Sequence, residues 1–271
     1  MADPTGAAPG TPAVVKSADR TLAILDLLTV HREGLTLVDI QRTLGFPKSS
    51  TYSLLTTMVG RGFLEQDVDS RRFRVGIRLW QAGQSYVAAE DLEAAALPYM
   101  EQLRDELNEV VQLATLDGTD NVYLGKVDPD QQLRLASRVG ARLPAYATGI
   151  GKALLTQLDD AEIERRIAAI NFTRYTAHTI GSCEELLTTV DKFRRRGYAT
   201  DTSEYTPGVC CVAAAIPRAR AGQTAAISVS VPEVRWTDDL MAHATEAVQA
   251  TARKISERMG YEDNGARSAD D

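Results

Sequence analysis

The sequence predicts an α+β protein in which a small helical head precedes a larger body built on an antiparallel sheet. Two observations support this prediction. Over residues 16–75, three helical patterns are followed by two short β-like runs joined by a turn at Asp69 and Ser70. Beyond Asn108 the apolar pattern changes toward a period of two, with helical stretches between and after the strand-like runs. The 271 residues leave room for one ordinary domain beside the head.

The head has the element order of a winged helix-turn-helix. Thr36 to Asp39 forms a capping box that opens the second helix, with Asp in place of the usual Glu. Gly45 ends that helix at a left-handed position, and Pro47 fits the first position of a third helix. The gap between these helices is only a few residues, as a helix-turn-helix requires. We therefore expect residues 16–76 to form a DNA-binding domain.

Polar and basic side chains mark the surfaces of the head that would meet DNA. Short hydroxyls and one lysine at the start of the third helix suit phosphate and base-edge contacts in a major groove. Three arginines on the second hairpin strand would lie over the DNA backbone or enter the minor groove. The predicted DNA-binding residues are Arg20, Pro47, Lys48, Ser49, Ser50, Thr51, Tyr52, Arg71, Arg72 and Arg74. The alternatives are a solvated polar turn at the helix start and an ordinary basic edge strand.

The net charge of −7 conceals an uneven distribution. Residues 16–86 hold 10 Lys or Arg against 7 Asp or Glu, whereas residues 87–271 hold 20 against 29. A slightly basic head on an acidic body suits a regulator whose body stays off DNA. The hydrophobic content of 44% and charged content of 25% are typical of a soluble globular protein. No apolar run approaches the roughly 20 residues needed to span a bilayer.

The chain ends and the cysteines set further limits. Residues 1–15 lack the basic start and apolar core of a signal peptide, so we expect a disordered tail and a cytoplasmic protein. Residues 261–271 are expected to form a second disordered tail. Cys183, Cys210 and Cys211 fit neither a disulfide framework nor metal-ligand spacing, and we expect no metal and no cofactor.

The rest of the chain is expected to form a linker helix, residues 77–90, and a body, residues 91–260. The linker has small residues on one face, which would also allow pairing with a second subunit. The predicted strands of the body are residues 110–116, 121–127, 133–139, 209–217 and 224–232. The predicted helices are residues 150–158, 161–169, 183–196 and 238–259. Strands before and after helices indicate an antiparallel sheet with helices packed beside it.

A glycine-containing loop is a candidate anion site. The segment from Ala147 to Ala153 is not a phosphate-binding P-loop, but it has the pattern of a loop that enters a helix. The free amides of Gly149, Ile150 and Gly151 would then point at a small anion such as a carboxylate. The alternative is an ordinary helix start that the glycines favour, with no role in anion binding.

Other polar residues of the body could complete a ligand site. Ser228 and Ser230 face one side of the last strand, where a ligand could pair their hydroxyls. Asp201 could accept from a ligand or cap a turn, and Cys211 is more often a small core residue than a nucleophile. The three histidines are scattered and no nucleophile elbow is present, so we expect no enzyme.

The chain resembles the isocitrate lyase regulator (IclR) family of bacterial transcription regulators. The matching stretches are SADRTLAILDLL and LTLVDIQRTLGFPKSSTYSLLTTMVGRGFLEQD in the head, RLPAYATGIGKALL in the middle, and GYATDTSEYTPGVCCVAAAIP and AAISVSVP near the end. The resemblance covers residues 16 to 260. It implies a winged helix-turn-helix, a linker helix and an effector domain similar to GAF domains, assembled as dimers or as tetramers of two dimers.

The resemblance also implies where an effector binds. In members that bind small keto acids, loop amides and a cluster of Asp, Cys and two Ser hold the ligand. The implied effector-binding residues are Thr148, Gly149, Ile150, Asp201, Val209, Cys211, Ser228 and Ser230. No arginine belongs to this cluster, so amides and hydroxyls would hold an acid. Because Asp201 would repel a bare carboxylate, a hydroxy acid, an amide-like compound or a hydroxylated aromatic acid fits as well as a keto acid.

These observations predict a ligand-responsive transcriptional regulator, more specifically a repressor of catabolic or metabolic genes. It would bind a pseudo-palindromic operator in double-stranded DNA as a dimer or tetramer, sense a small organic acid or a related aromatic or amide metabolite, and have no membrane partner. The alternative is a small-molecule enzyme or ligand-storage protein with an inert helix-turn-helix. A third hypothesis is a module that pairs proteins through the head.

Overall fold

The computed structural model describes residues 15–87, 92–131, 137–168, 170–217 and 224–260. The chain divides into two units, Met1–Glu90 and Asp91–Asp271. The predicted tails lie outside the described residues, apart from residue 15. Within the described ranges, no helix is long and apolar enough to cross a membrane. In the same ranges, no group of three His, Cys, Asp or Glu side chains is placed to hold a metal ion.

The first unit packs helices around a small antiparallel hairpin. Its elements are α1 (Lys16–Val30), α2 (Leu37–Leu44), α3 (Lys48–Gly60), β1 (Leu64–Gln66), β2 (Phe73–Val75) and α4 (Ile77–Val87). The buried core side chains are Ile24, Leu28, Ile40, Leu55, Met58, Leu64 and Phe73. Because α1, α2, α3 and the hairpin all contribute to this core, their relative orientation is fixed by apolar packing.

The turn between α2 and α3 is set by the predicted caps. The Thr36 hydroxyl accepts from the Asp39 N–H, and the Asp39 carboxylate accepts from the Thr36 N–H, so the capping box is present. Gly45 ends α2 with a φ of 67°. Pro47 is the N-cap residue of α3 and not its first helical residue, because its ψ of 140° is extended.

The second unit is built on a six-stranded antiparallel sheet of order β5-β4-β3-β8-β7-β6. Its strands are β3 (Val110–Asp117), β4 (Asp120–Val127), β5 (Arg142–Pro144), β6 (Ala199–Thr202), β7 (Val209–Ala215) and β8 (Ala226–Pro232). Its helices are α5 (Leu92–Leu107), α6 (Gly149–Leu155), α7 (Asp160–Ile167), α8 (Cys183–Arg196) and α9 (Asp238–Arg258). Short 3₁₀ turns at Ala145–Ala147 and Glu233–Arg235 precede α6 and α9.

The two faces of the sheet have different roles, because successive side chains of a strand point to opposite faces. Leu113, Val212 and Val229 belong to an apolar core that includes side chains of α5 and α9. Cys211 and Ala226 belong to a second cluster on the other face, together with side chains of α6. Polar side chains of the sheet lie on this second face, which is where a cavity opens.

Two strand predictions need correction. Of the predicted strand at 133–139, residues 133–136 lie outside the described residues, and residues 137–139 are irregular. The strand that pairs with β4 is instead Arg142–Pro144. Ala199–Thr202 is a strand that the sequence analysis did not predict. Each has at most four residues, too few for a period of two to be visible in the sequence.

Candidate functional site

The first unit exposes one polar face of α3. Lys48, Ser49 and Tyr52 are exposed, with 58% of Tyr52 accessible to solvent. Ser53 and Thr56 are also exposed and continue the same face at helical spacing. These two residues were not among the predicted contacts, although a spacing of four from Ser49 and Tyr52 identifies them. The face offers hydroxyls and one positive charge to a partner.

Two predicted DNA contacts at the start of α3 make hydrogen bonds within the protein. Thr51 is fully buried and its hydroxyl donates to the Pro47 carbonyl at 2.9 Å, so Thr51 cannot reach DNA while α3 stays packed. The half-buried Ser50 accepts from Arg20 Nη1 at 3.3 Å. The Arg20 guanidinium also lies 5.1 Å from the ring centre of Phe46. Arg20 and Ser50 therefore tie α1 to the start of α3.

The three arginines of the hairpin have different surroundings. Arg72 Nη1 donates to the Gly34 carbonyl at 2.7 Å, which fastens the hairpin to the loop after α1. Arg74 forms an exposed pair with Glu65 at 3.3 Å. Arg71 has a φ of 55°, and the described part of the chain offers its guanidinium no hydrogen-bond or ionic partner. Arg71 is therefore the hairpin cation that is free to bind a phosphate.

The second unit contains a cavity of about 330 Å³ between the sheet, the start of α6 and the segment that follows β6. Seven of the eight predicted effector-binding residues line it, namely Thr148, Gly149, Ile150, Asp201, Val209, Cys211 and Ser230. Ser228 is fully buried and lies outside this lining. The other lining residues are Gln112, Tyr123, Ser137, Arg138, Ala141, Leu143, Tyr205 and Thr206.

Gln112 satisfies the serines of β8 and was missed by the sequence analysis. It lies on β3 opposite Ser228, and its Oε1 accepts from Ser230 at 2.9 Å and from Ser228 at 3.4 Å. A ligand is therefore not needed to pair these two hydroxyls, because a protein amide oxygen already accepts from both. Gln112 lies within a strongly apolar strand, and this isolated polar residue was the available sequence signal.

Asp201 is the buried acid of the cavity. It lies on β6, is 7% exposed, and its Oδ1 accepts from the Glu204 N–H at 2.8 Å. Burial raises the pKa of Asp201 to about 7, although the Lys152 ammonium nearby acts in the opposite direction. Lys152 is 1% exposed, and its Nζ lies 2.5 Å from Glu204 Oε1. This ion pair, which was not predicted from the sequence, supports the segment that follows Asp201.

The loop before α6 offers fewer free amides than predicted. The Thr148 hydroxyl accepts from the Gly151 N–H at 3.1 Å, so the prediction of a free amide at Gly151 is wrong. The Gly149 N–H faces Asp201, where a hydrogen bond from it lowers the pKa of the carboxyl. Among the residues that the structure describes, the Ile150 N–H has no hydrogen-bond partner. Ile150 therefore supplies the amide that remains for a ligand.

The two adjacent cysteines are poor nucleophiles. Burial raises the pKa of the Cys211 thiol to about 12 and that of Cys210 to about 11. A thiol must ionise to attack or to bind a metal, so both stay inert at neutral pH. This chemistry agrees with the expectation that Cys211 is a small packing residue.

Comparison with known proteins decides the family. Residues 17–68 match the IclR helix-turn-helix domain, and residues 84–257 match the C-terminal domain of the bacterial transcriptional regulator IclR. The chain belongs to the IclR family. The predicted family, the α+β fold with its helix-turn-helix, and the function of a DNA-binding transcriptional regulator are confirmed.

Relatives cover nearly the whole chain. It is 32% identical over 248 residues to the regulator XynR of Escherichia coli K12, which spans 92% of this chain and 98% of XynR. It is 31% identical over 245 residues to the repressor AllR of the same strain, spanning 90% of each. The crystal structure of an IclR homologue complexed with 4-hydroxybenzoate, from Microbacterium hydrocarbonoxydans, is 25% identical with a TM-score of 0.79, and the match covers 90% of this chain and 99% of that chain.

Asp201→Asn should change how stability depends on pH. The folded-state pKa of about 7 lies above the usual 3.8, so Asp201 contributes stability that is lost as the pH rises through 7. Between pH 6 and 8, the wild type should lose about 1.4 kcal/mol of unfolding free energy relative to the variant, which cannot titrate at this position. Urea unfolding at both pH values measures this difference, and parallel pH dependences of the two proteins would contradict it.

Lys152→Met should lower the unfolding free energy by about 3 to 5 kcal/mol, because the Glu204 carboxylate is left buried without its counter-charge. Adding Glu204→Gln should restore most of this loss, since no unpaired charge remains. Urea unfolding of the wild type, both single variants and the double variant gives the coupling energy.

The exposed ion pair of Arg195 with Asp191 provides a matched control. Arg195→Met should change the unfolding free energy by less than about 1 kcal/mol, since solvent screens this pair. Additive effects of Lys152→Met and Glu204→Gln would show that the buried pair has no such role.

Proposed function

We propose that this IclR-family protein represses catabolic or metabolic genes by binding a pseudo-palindromic operator as a dimer or tetramer, and that an effector in the cavity changes its operator affinity. The observation that most supports DNA reading is the exposed polar face of α3 on a packed helical unit. The relative AllR is named as a repressor, which supports the proposed sign of regulation. Because bacterial DNA lies in the cytoplasm, we propose that the protein acts there.

The proposed direct contacts to DNA come from Lys48, Ser49, Tyr52 and Arg71. The first three lie on the exposed face of α3, where a helix can present side chains to base edges and phosphates of a major groove. Arg71 is the unpaired cation of the hairpin and fits a backbone phosphate. Each would contribute in both halves of a symmetric operator.

Apart from Arg74, the remaining predicted contacts act indirectly in this proposal. Arg20 and Ser50 fix the start of α3, and Arg72 fixes the hairpin, through the hydrogen bonds described above. Pro47 is exposed and sets the direction in which α3 begins. Arg74 must exchange its exposed partner, a glutamate, to reach a phosphate.

The proposed domain boundaries are residues 16–76 for the head, 77–90 for the linker and 91–260 for the effector domain. The division of the chain near residue 90 and the extent of α4, Ile77–Val87, support them. Within the effector domain, we propose that the cavity binds a small organic acid or related metabolite. The 4-hydroxybenzoate complex of the Microbacterium homologue supports this class.

We propose that the cavity binds its ligand without turning it over. An enzyme needs an activated nucleophile or an acid–base pair aimed at a reacting atom. The cavity thiol has a pKa of about 12. The alternative of an enzyme with an inert head predicts conversion of candidate acids that depends on Asp201 or Cys211, and Cys211→Ser would then abolish turnover.

Fluorescence anisotropy tests the main proposal. The full-length protein is titrated onto the duplex upstream of its own gene and onto a scrambled duplex across a salt series. We expect tighter binding to the native duplex and a fall in affinity with salt, because neutralised phosphates release counterions. Equal, weak binding to both duplexes would contradict sequence-specific reading at this promoter.

Arg71→Asn should weaken binding to every duplex and reduce the slope of log K against log salt by about 1 per subunit, because one phosphate contact is lost. Asparagine is chosen because it tolerates the left-handed φ of 55° at this position. Arg253→Asn, on α9 of the other unit, makes the same change in net charge and should leave the slope unchanged. An unchanged slope for Arg71→Asn would contradict the assignment of the hairpin as a DNA-contacting wing.

A further inference from the structure

We propose that the effector is a single-ring aromatic hydroxy acid whose carboxylate binds Arg138 at the mouth of the cavity and whose hydroxyl donates to Asp201 at its inner end. The mouth is the exposed end of the cavity at Arg138, and the inner end is the buried end at Asp201. This inference rests on the proposed effector-sensing function and adds the class and orientation of the ligand. It adds Arg138, which lines the cavity, to the effector-binding residues that the resemblance implies.

Arg138 is the cation left for an anionic ligand. It lies between β4 and β5, and it is the one cation among the described residues that line the cavity. No acceptor for its guanidinium is found in the part of the chain that the structure describes. By contrast, Arg142 is bound to Asp117 at 2.6 Å, and Lys152 is buried against Glu204. A free guanidinium can hold a carboxylate through two parallel hydrogen bonds.

The neighbouring Ser137 supplies a second donor at the mouth. Its Oγ is buried and has no hydrogen-bond partner among the residues that the structure describes, and the residue lines the cavity beside Arg138. An unpaired buried hydroxyl costs about 1 to 3 kcal/mol, and a ligand acceptor removes that cost. A carboxylate has lone pairs enough to accept from the Ser137 hydroxyl and from the Arg138 guanidinium together.

The inner end has the opposite polarity. Lys152 and Glu204 pair with each other and do not line the cavity, which leaves Asp201 as the acidic lining group and, in its ionised form, as the negative charge that faces the ligand. A ligand carboxylate is therefore repelled at the inner end and attracted at the mouth. The group that reaches Asp201 is most stable when it donates a hydrogen bond, as a hydroxyl does. An acid thus enters with its hydroxyl first and its carboxylate outward.

The size and walls of the cavity favour a ring between these two ends. Its volume of about 330 Å³ equals that of roughly eleven waters at about 30 Å³ each. A two-carbon acid would leave most of that space to water. The other lining residues include Tyr123, Leu143, Ile150, Tyr205 and Val209, which offer aromatic and aliphatic contacts to a flat ring.

Isothermal titration calorimetry of the full chain tests the proposal with four probes: 4-hydroxybenzoate, benzoate, 4-hydroxybenzamide and pyruvate. We expect 4-hydroxybenzoate to bind the wild type most tightly. Benzoate, which lacks the donor for Asp201, should bind at least about tenfold more weakly. Arg138→Gln should weaken 4-hydroxybenzoate by about 10- to 100-fold but change the affinity for the neutral 4-hydroxybenzamide less than about twofold, because only the charged pair is lost.

Arg253→Gln is the matched control, since it removes one exposed arginine from α9, a helix that packs on the opposite face of the sheet. It should leave all four affinities unchanged. Equal losses for the acid and the amide in Arg138→Gln would overturn the proposed orientation. Binding of pyruvate but of no ring acid would overturn the ligand class while leaving effector sensing intact. Absence of binding by all four probes would overturn this inference. Operator binding, which is measured separately, tests the proposed regulatory function independently of that result.

Discussion

The buried ion pair between Lys152 and Glu204 is the interaction on which the effector cavity most depends. Lys152 comes from α6 and is 1% exposed, and the Glu204 carboxylate, which lies 2.5 Å away, stabilises its buried ammonium. The Glu204 N–H then donates to Asp201, and the Glu204 carbonyl accepts from the Thr179 hydroxyl. One pair thus fixes the segment after β6 to both α6 and the loop before α8. The hydrogen bond from the Glu204 N–H adds to the pairing of β6 with β7 in holding Asp201.

The alternation of the sheet decides which residues can join this arrangement. The apolar residues of β3, β7 and β8 pack against α5 and α9. Because successive side chains of a strand point to opposite faces, the polar residues between them face the cavity. Close packing of α6 on that side requires small residues: a Cβ on Gly149 would lie 2.9 Å from Cys211 Sγ. A larger residue at either position would push α6 away from the sheet and change the shape of the ligand site.

Local chemistry made some features of the fold predictable from sequence, and long-range geometry hid others. The capping box at Thr36 and the left-handed Gly45 depend on neighbouring residues alone, so their signals are complete within a few positions. The role of Gln112 depends on Ser230, which is 118 residues away in the chain. Thr51 looked like a DNA contact because its neighbours are polar, yet its phase on α3 turns it into the core. Arg138 lies within the stretch 133–139, whose pattern predicted a strand, so no sequence signal connected it with Asp201.

The protonation of Asp201 determines which ligands this cavity can tell apart. With a pKa of about 7, both forms of the carboxyl are populated near neutral pH, and the inner group of the ligand selects the form that complements it. A hydroxyl donates to the carboxylate and needs no proton uptake. A keto oxygen can only accept, so its binding requires the protonated acid and draws a proton from solvent as the pH rises above 7. Two acids of the same charge therefore differ in affinity according to whether the group that reaches Asp201 donates or accepts a hydrogen bond. The carboxylate at the mouth contributes equally to the binding of both.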